Sequence, residues 1–183
     1  MRRIHIVGTS GSGKTTLARQ LAALLALPHV ELDAFQWQPG WTPLDKDIFR
    51  ERLAGALTGD GWVVDGNYVV YRDLTMARAD TLIWLDYPLP LVLWRVSLRT
   101  ARRLIARDEL WNGNHERWSS VFSRDSIILW ALTSYRRNLN RYRAMMTHPD
   151  ADLSHLNIIR LRSPRQTRIW LRSLDAPQAH PVH

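Results

Sequence analysis

A chain of 183 residues and 21.3 kDa has room for one α/β domain with a real core, and not for two. Hydrophobic residues at 45% and charged residues at 23% exclude wholesale disorder, and the absence of cysteine excludes disulfides, thiolate catalysis and Cys-ligated zinc or iron–sulfur centres. The net charge of +8 is uneven: residues 1–94 carry 9 Lys/Arg against 10 Asp/Glu, residues 95–143 carry 11 Arg against 4 acids, and residues 144–183 carry 5 against 3.

In chain order, Arg3–Val7 reads as a short buried strand running straight into Gly8-Thr9-Ser10-Gly11-Ser12-Gly13. From Lys14 the pattern turns helical, with Leu17, Leu21, Leu24 and Leu25 on one face, and it ends at Pro28. Val30–Leu32 is a second strand closing on Asp33. A Trp/Pro/Gly stretch from Trp37 to Pro43 leads into a helix from about Asp45 to Leu57. Trp62–Val64 is a third strand stopped by Asp65-Gly66, and Thr81–Leu85 a fourth stopped by Asp86-Tyr87-Pro88. Two long helical patterns, roughly Leu89–Arg107 and Asp125–Met146, flank a polar loop at Asp108–Ser119. Asn157–Leu161 is a fifth strand and Arg165–Leu174 a closing helix, after which residues 175–183 read as a flexible tail.

Strands alternating with helices predict a five-stranded parallel sheet flanked by helices, as one domain over residues 1–174. Ligands of such sheets sit beyond the carboxyl ends of the strands, which here are Gly8, Asp33, Asp65, Asp86 and Arg162. The longest purely apolar runs, Leu21–Leu27 and Ile127–Leu132, are far too short to span a bilayer, and no secretory leader is read. The expectation is a cytoplasmic protein without membrane contact, a monomer or a weak homodimer.

Gly8 to Thr15 fits G-x-x-x-x-G-K-[ST] at every fixed position, between a predicted strand and a predicted helix. Such a loop turns its backbone N–H groups inward around an anion, and the helix behind it adds the positive end of its dipole. Gly8, Ser10, Gly11, Ser12, Gly13, Lys14, Thr15 and Thr16 are therefore the expected nucleotide cradle. Lys14 reaches the β- and γ-phosphates, and the Thr15 hydroxyl enters a Mg²⁺ shell. ATP and Mg²⁺ are the expected cofactors. Arginine in place of lysine through residues 95–143 suits bidentate recognition of phosphate or carboxylate, although a compositional bias explains part of it.

The segments Gly61–Gly66 and Leu85–Pro88, with Arg95 and Arg99 following, resemble those of adenylate-kinase-like P-loop kinases over about three quarters of the chain. A closer resemblance is to the bacterial P-loop proteins called topology modulation proteins. It rests on Leu32-Asp33 with Trp37 and Trp41, Asp65-Gly66-Asn67-Tyr68, Arg78-Ala79-Asp80 and Leu110-Trp111-Asn112-Gly113-Asn114. The resemblance implies that Arg95 packs near adenine and that Arg99 touches the transferring phosphoryl group. It implies a lid at about 108–119, with Arg124 and Arg136 supplying further charge after it, and His115 as an ordinary loop residue. It implies that Asp65 lies near the Mg²⁺ water shell, unless Asp65 simply caps Gly66-Asn67. In uridine-kinase-like members, a Leu-Asp-x-Phe sequence supplies the base for an acceptor hydroxyl. Leu32-Asp33-Ala34-Phe35 matches it, which makes Asp33 either a general base or a turn cap. Arg165 is a candidate for stacking on the adenine.

Two departures bear on the acceptor. Adenylate kinases place an arginine three residues after the second-strand Asp, where this chain has Gln36, and another four residues after the Asp of Asp-Gly, where it has Val69. Without these grips, Arg72 or Arg78 would have to hold an acceptor phosphate. A hydroxyl on a small, nucleoside-like or other ring-shaped compound is favoured, bound in a segment at about 33–60 with Trp37, Trp41 and Tyr68 as its wall. The leading expectation is an ATP-dependent kinase. Its rival is a nucleic-acid-associated NTP-binding regulator, not favoured because no helix-turn-helix, zinc-finger or RNP-like sequence accompanies the arginines.

Overall fold

The computed structural model describes residues 1–106, 111–113, 127–147 and 153–175. Five parallel strands form the central sheet: β1 (Arg3–Gly8), β2 (His29–Glu31), β5 (Trp62–Asp65), β6 (Thr81–Leu85) and β7 (Asn157–Leu161). Their order is β2-β5-β1-β6-β7, and β3 (Trp37–Gln38) and β4 (Thr42–Pro43) form a separate small antiparallel hairpin. The expected α/β architecture is met.

β1 is central because it can be buried on both faces. Ile4, Ile6 and Val7 are all fully buried, the near-continuous apolar run of a strand inside a parallel sheet, broken only by the buried His5. Its register sets Ile6 opposite Asp65 on one side and Gly8 opposite Leu85 on the other. Asp80 pins the start of β1 by accepting the N–H groups of Arg2 and Arg3 at 2.7 and 3.0 Å.

Two cores follow from the two faces. On one, Ile4, Ile6, Val63, Ile83, Leu85 and Leu161 meet Leu17, Ala18 and Leu21 of α1 (Lys14–Leu25) and Val92 of α5 (Leu89–Ala106). The same core takes in Trp170 and Leu171 of the last helix, which runs over Pro164–Asp175. On the other face, Val7, Val64, Leu82 and Trp84 meet Phe49 and Leu53 of α3 (Lys46–Ala56) and Tyr142 of α6 (Ile127–Thr147). The last helix is α7. The Asp45 carboxylate caps α3 by accepting from the N–H groups of Asp47 and Ile48, as the sequence suggests for a helix opening there.

At the strand ends two expected boundaries move, and one segment gains elements that were not expected. β2 runs over His29–Glu31 rather than Val30–Leu32, and Leu32 opens a short helix, α2 (Leu32–Gln36). The buried Leu32 is equally at home in either element, so its apolarity does not fix the boundary. Asp65 is the last residue of β5 rather than the first after it, because it still pairs with Ile6 and Glu31. Between β5 and β6 a 3₁₀ turn (Val69–Tyr71) runs into a further short helix, α4 (Arg72–Thr75). The tail beyond 175 lies outside the described residues.

Candidate functional site

The carboxyl ends of the parallel strands form one edge, and the loop from Gly8 to Thr15 opens it between β1 and α1. Gly13, the residue ahead of α1, has φ 94°, which L side chains adopt only with strain. Gly11 is confined differently: a Cβ there would stand 2.4 Å from Val96 Cγ2 and 3.0 Å from the Val92 carbonyl oxygen. The loop thus lies directly on α5, which is why the arginines of α5 reach it.

Arg95 and Arg99, one turn apart, both face the loop. Arg95 Nη1 donates to the Ser12 carbonyl at 3.4 Å, and its guanidinium lies 5.5 Å from the Tyr87 ring centroid. Arg99 Nη2 donates to Ser10 Oγ at 3.3 Å. Lys14 Nζ folds back onto the Thr9 carbonyl at 3.4 Å. Burial lowers the pKa of this ammonium, and among the surrounding charges Asp33 and then Asp65 oppose the shift most strongly. Thr16, by contrast, is exposed on α1.

Thr15 Oγ1 donates to Asp65 Oδ1 at 3.1 Å, and His29 Nε2 donates to Asp65 Oδ2 at 2.8 Å. Asp65 is 2% exposed, so both carboxylate oxygens are held inside the fold. Among the described residues no cluster of three or more metal-ligating His, Cys, Asp or Glu side chains occurs. A hydroxyl and a single carboxylate are instead the donor set that suits a Mg²⁺ completed by waters and phosphate oxygens.

Asp33 sits in the first turn of α2, two residues past the end of β2, not at the strand end itself. The Tyr68 hydroxyl donates to Asp33 Oδ1 at 2.8 Å. Burial raises the Tyr68 pKa, and the Asp33 charge raises it further, so this hydroxyl keeps its proton. Tyr68 is therefore more than the apolar wall that its sequence suggests. Trp37 and Trp41 meet edge to face at 5.6 Å in the β3–β4 hairpin, and Asn112 Nδ2 donates to the Trp37 carbonyl at 2.5 Å. The described part of the expected lid, Trp111–Gly113, thus rests on this hairpin.

Other candidates fall elsewhere. Arg136 is exposed on α6, and Arg165 is exposed in the first turn of α7. Arg124 and His115 lie outside the described residues. Arg160, not singled out by sequence, pairs with Asp86 through Nε at 2.8 Å and covers the Trp84 ring at 4.6 Å. Four residues that sequence reasoning did not assign hold the site together: His5, His29, Asn67 and Tyr142. His5 Nε2 donates to the Gly66 carbonyl at 3.0 Å, and Asn67 bonds both the N–H and the carbonyl of Gly8. An Asp-Gly-Asn-Tyr run at a strand end was the available signal for Asn67; nothing local marks the histidines.

No family model matches the chain. A protein of Bacillus subtilis (strain 168) called YqaC, itself uncharacterised, is 26% identical over 156 residues, 84% of each chain. Among solved structures, shikimate kinase from Acinetobacter baumannii in complex with shikimate matches with a TM-score of 0.52 at 16% identity, over 95% of this chain and 90% of that one. A gluconokinase from Sinorhizobium meliloti 1021 matches at 0.51 and 18% identity over 98% of both chains. The fold is that of P-loop kinases.

Proposed function

We propose that this protein is an ATP·Mg²⁺-dependent phosphotransferase that phosphorylates a hydroxyl group of a small molecule. The observation that carries the proposal is the geometry at the strand ends: Arg95 and Arg99 lie against the Gly8–Thr15 loop, and Asp33, held by the Tyr68 hydroxyl at 2.8 Å, stands just past the carboxyl end of β2. A carboxylate on the acceptor side and the cations of the donor side thus line the same edge of the sheet. The fold's likeness to shikimate kinase and gluconokinase, both small-molecule kinases by name, supports the same reading.

In this reading the loop N–H groups, Lys14 and Arg95 hold the triphosphate, and Arg99 meets the charge that spreads over the transferring group. Thr15 and Asp65 hold the Mg²⁺, which would screen the β- and γ-phosphates. The acceptor oxygen attacks the γ-phosphorus, the bond to the β,γ-bridging oxygen breaks, ADP leaves, and the acceptor's proton passes to Asp33. The Tyr68 hydroxyl on Oδ1 orients that carboxylate. Gln36 and Val69, where adenylate kinases carry arginines, favour a hydroxyl over a phosphate acceptor. Kinship with the topology modulation proteins belongs to this proposal, and so do Arg124 and Arg136 as catalytic arginines of the lid and Arg165 as a residue stacking on the adenine.

The test has two steps. ATP with Mg²⁺ should raise the melting temperature of the parent and leave that of Lys14→Ala unmoved; equal shifts in both would remove the phosphate cradle. Nucleosides, sugar acids, polyols and hydroxylated ring acids are then screened for acceptor-stimulated ADP release. Stimulation by nucleoside monophosphates alone would replace the hydroxyl reading with a phosphate acceptor.

A further inference from the structure

We propose that Asn67 is a positioning residue that fixes the two peptides flanking Gly8, the first residue of the phosphate loop, and that Tyr142 ties this clamp to α6. The juxtaposition behind it is threefold. Asn67 Oδ1 accepts the Gly8 N–H at 3.2 Å, Asn67 Nδ2 donates to the Gly8 carbonyl at 2.7 Å, and the Tyr142 hydroxyl donates to Asn67 Oδ1 at 3.1 Å.

A side-chain amide offers one acceptor and two donors, so a single Asn satisfies both polar groups of one residue. The polarity of Gly8 decides which end of the amide is oxygen: turned over, it would set donor against donor and acceptor against acceptor. The carboxylate of an aspartate lacks the donor, and the hydroxyl of a serine is too short to span both groups. Gly8 needs such a hold because its own backbone, at φ 152°, lies where β1 stops pairing regularly and the loop begins.

Tyr142 adds a longer connection. It is 1% exposed, with its ring 5.7 Å from that of Trp84, so its place is fixed by packing independently of its hydroxyl. Burial raises its pKa, with Arg141 pulling the other way, and the hydroxyl remains a donor. Oδ1 is already oriented by Gly8, so the Tyr142 proton has one acceptor direction to follow. α6 is the helix that follows the expected lid in the chain. Its docking and the geometry of the phosphate loop are thereby coupled through one half-buried amide.

The clamp itself does not depend on the nucleotide reading; only the kinetic arm of the test rests on it. The first arm uses the ligand-free full chain and follows amide hydrogen exchange by NMR at Gly8 and, as internal reference, at Ile6. Tyr142→Phe keeps the ring and removes the hydroxyl. It should speed exchange at Gly8 about threefold, and Asn67→Ala about tenfold or more, with Ile6 unchanged, in line with one and several modest hydrogen bonds lost. A uniform rise across β1, or no change at Gly8 in Tyr142→Phe, overturns the clamp. If Asn67→Ala does not fold, Tyr142→Phe carries this arm alone.

The second arm is the KM for ATP. It should rise about threefold in Tyr142→Phe and about tenfold in Asn67→Ala with kcat within about twofold, and the double variant should be no worse than Asn67→Ala. Additive losses, or a fall confined to kcat, overturn the coupling. A parent without nucleotide binding overturns the proposed function instead, while exchange at Gly8 still decides the clamp.

Discussion

The proposed donor side and the proposed acceptor side of the candidate site are built on opposite principles. The donor side is local: eight consecutive residues, Gly8 to Thr15, make the loop, and two arginines four apart on α5 close it. The acceptor side is assembled from pieces distant in sequence. Tyr68 reaches Asp33 across 35 residues, and Asn112 reaches Trp37 across 75. Backbone geometry makes a phosphate cradle, whereas an acceptor site needs side chains of particular chemistry. The two halves meet at one tetrapeptide, Asp65-Gly66-Asn67-Tyr68. Asp65 serves Thr15, Gly66 accepts from His5, Asn67 holds Gly8, and Tyr68 serves Asp33.

The contrast breaks most sharply at Asp33. Asp33→Asn keeps size and most hydrogen bonding but cannot take a proton, so kcat for the acceptor should fall about a hundred- to ten-thousand-fold while ATP affinity stays. Steady-state kinetics beside an ATP thermal shift checks this, and full acceptor turnover in the variant would make Asp33 a cap.

Next in size is the joint between the halves. Burial depresses the pKa of His5 from 6.5 to about 4, so the folded protein keeps this ring neutral. Between those values the unfolded chain binds a proton that the folded one does not, and acidification therefore favours unfolding. The contribution is intact above about pH 6.5 and lost as the pH falls to about 4, on the order of 3 kcal/mol. Denaturant unfolding of the parent and of His5→Gln across this range measures it. Equal pH slopes in the two would show the ring to be solvated.

On the donor side, Arg99→Lys should lower kcat about ten- to a thousand-fold with ATP affinity nearly intact, since a planar fork suits charge that spreads in the transition state. Equal kcat would assign Arg99 to binding alone. The smallest effect belongs to Tyr68→Phe: loss of one hydrogen bond to the acceptor carboxylate should cost about tenfold or less in kcat. Loss as large as in Asp33→Asn would promote Tyr68 from orienting group to participant.

This difference in construction also decides what the sequence discloses. The sheet, the loop and Arg95 with Arg99 are legible because each is written as a contiguous pattern or at helical spacing. Asp33 is legible as a residue and misread in place, since the apolar Leu32 fits a strand end or the opening turn of a helix equally well. His29 on Asp65 and Asn67 on Gly8 are illegible locally, because partners 36 and 59 residues apart meet only through the strand order. Arg136 and Arg165 sit on the expected helices, but helical spacing does not say which turn faces inward.

The central place of β1 has a consequence during synthesis. Gly8 finds its sheet partner, Leu85, 77 positions later, and β5 arrives only shortly before. At ribosomal speeds of roughly 5–20 residues per second, an apolar strand and a half-made phosphate loop wait on the order of ten seconds for neighbours. High contact order at the sheet's centre makes folding late and abrupt rather than gradual. A nascent chain halted before residue 81 would therefore hold all eight residues of the loop and still lack the strand that pairs with β1 on its other side.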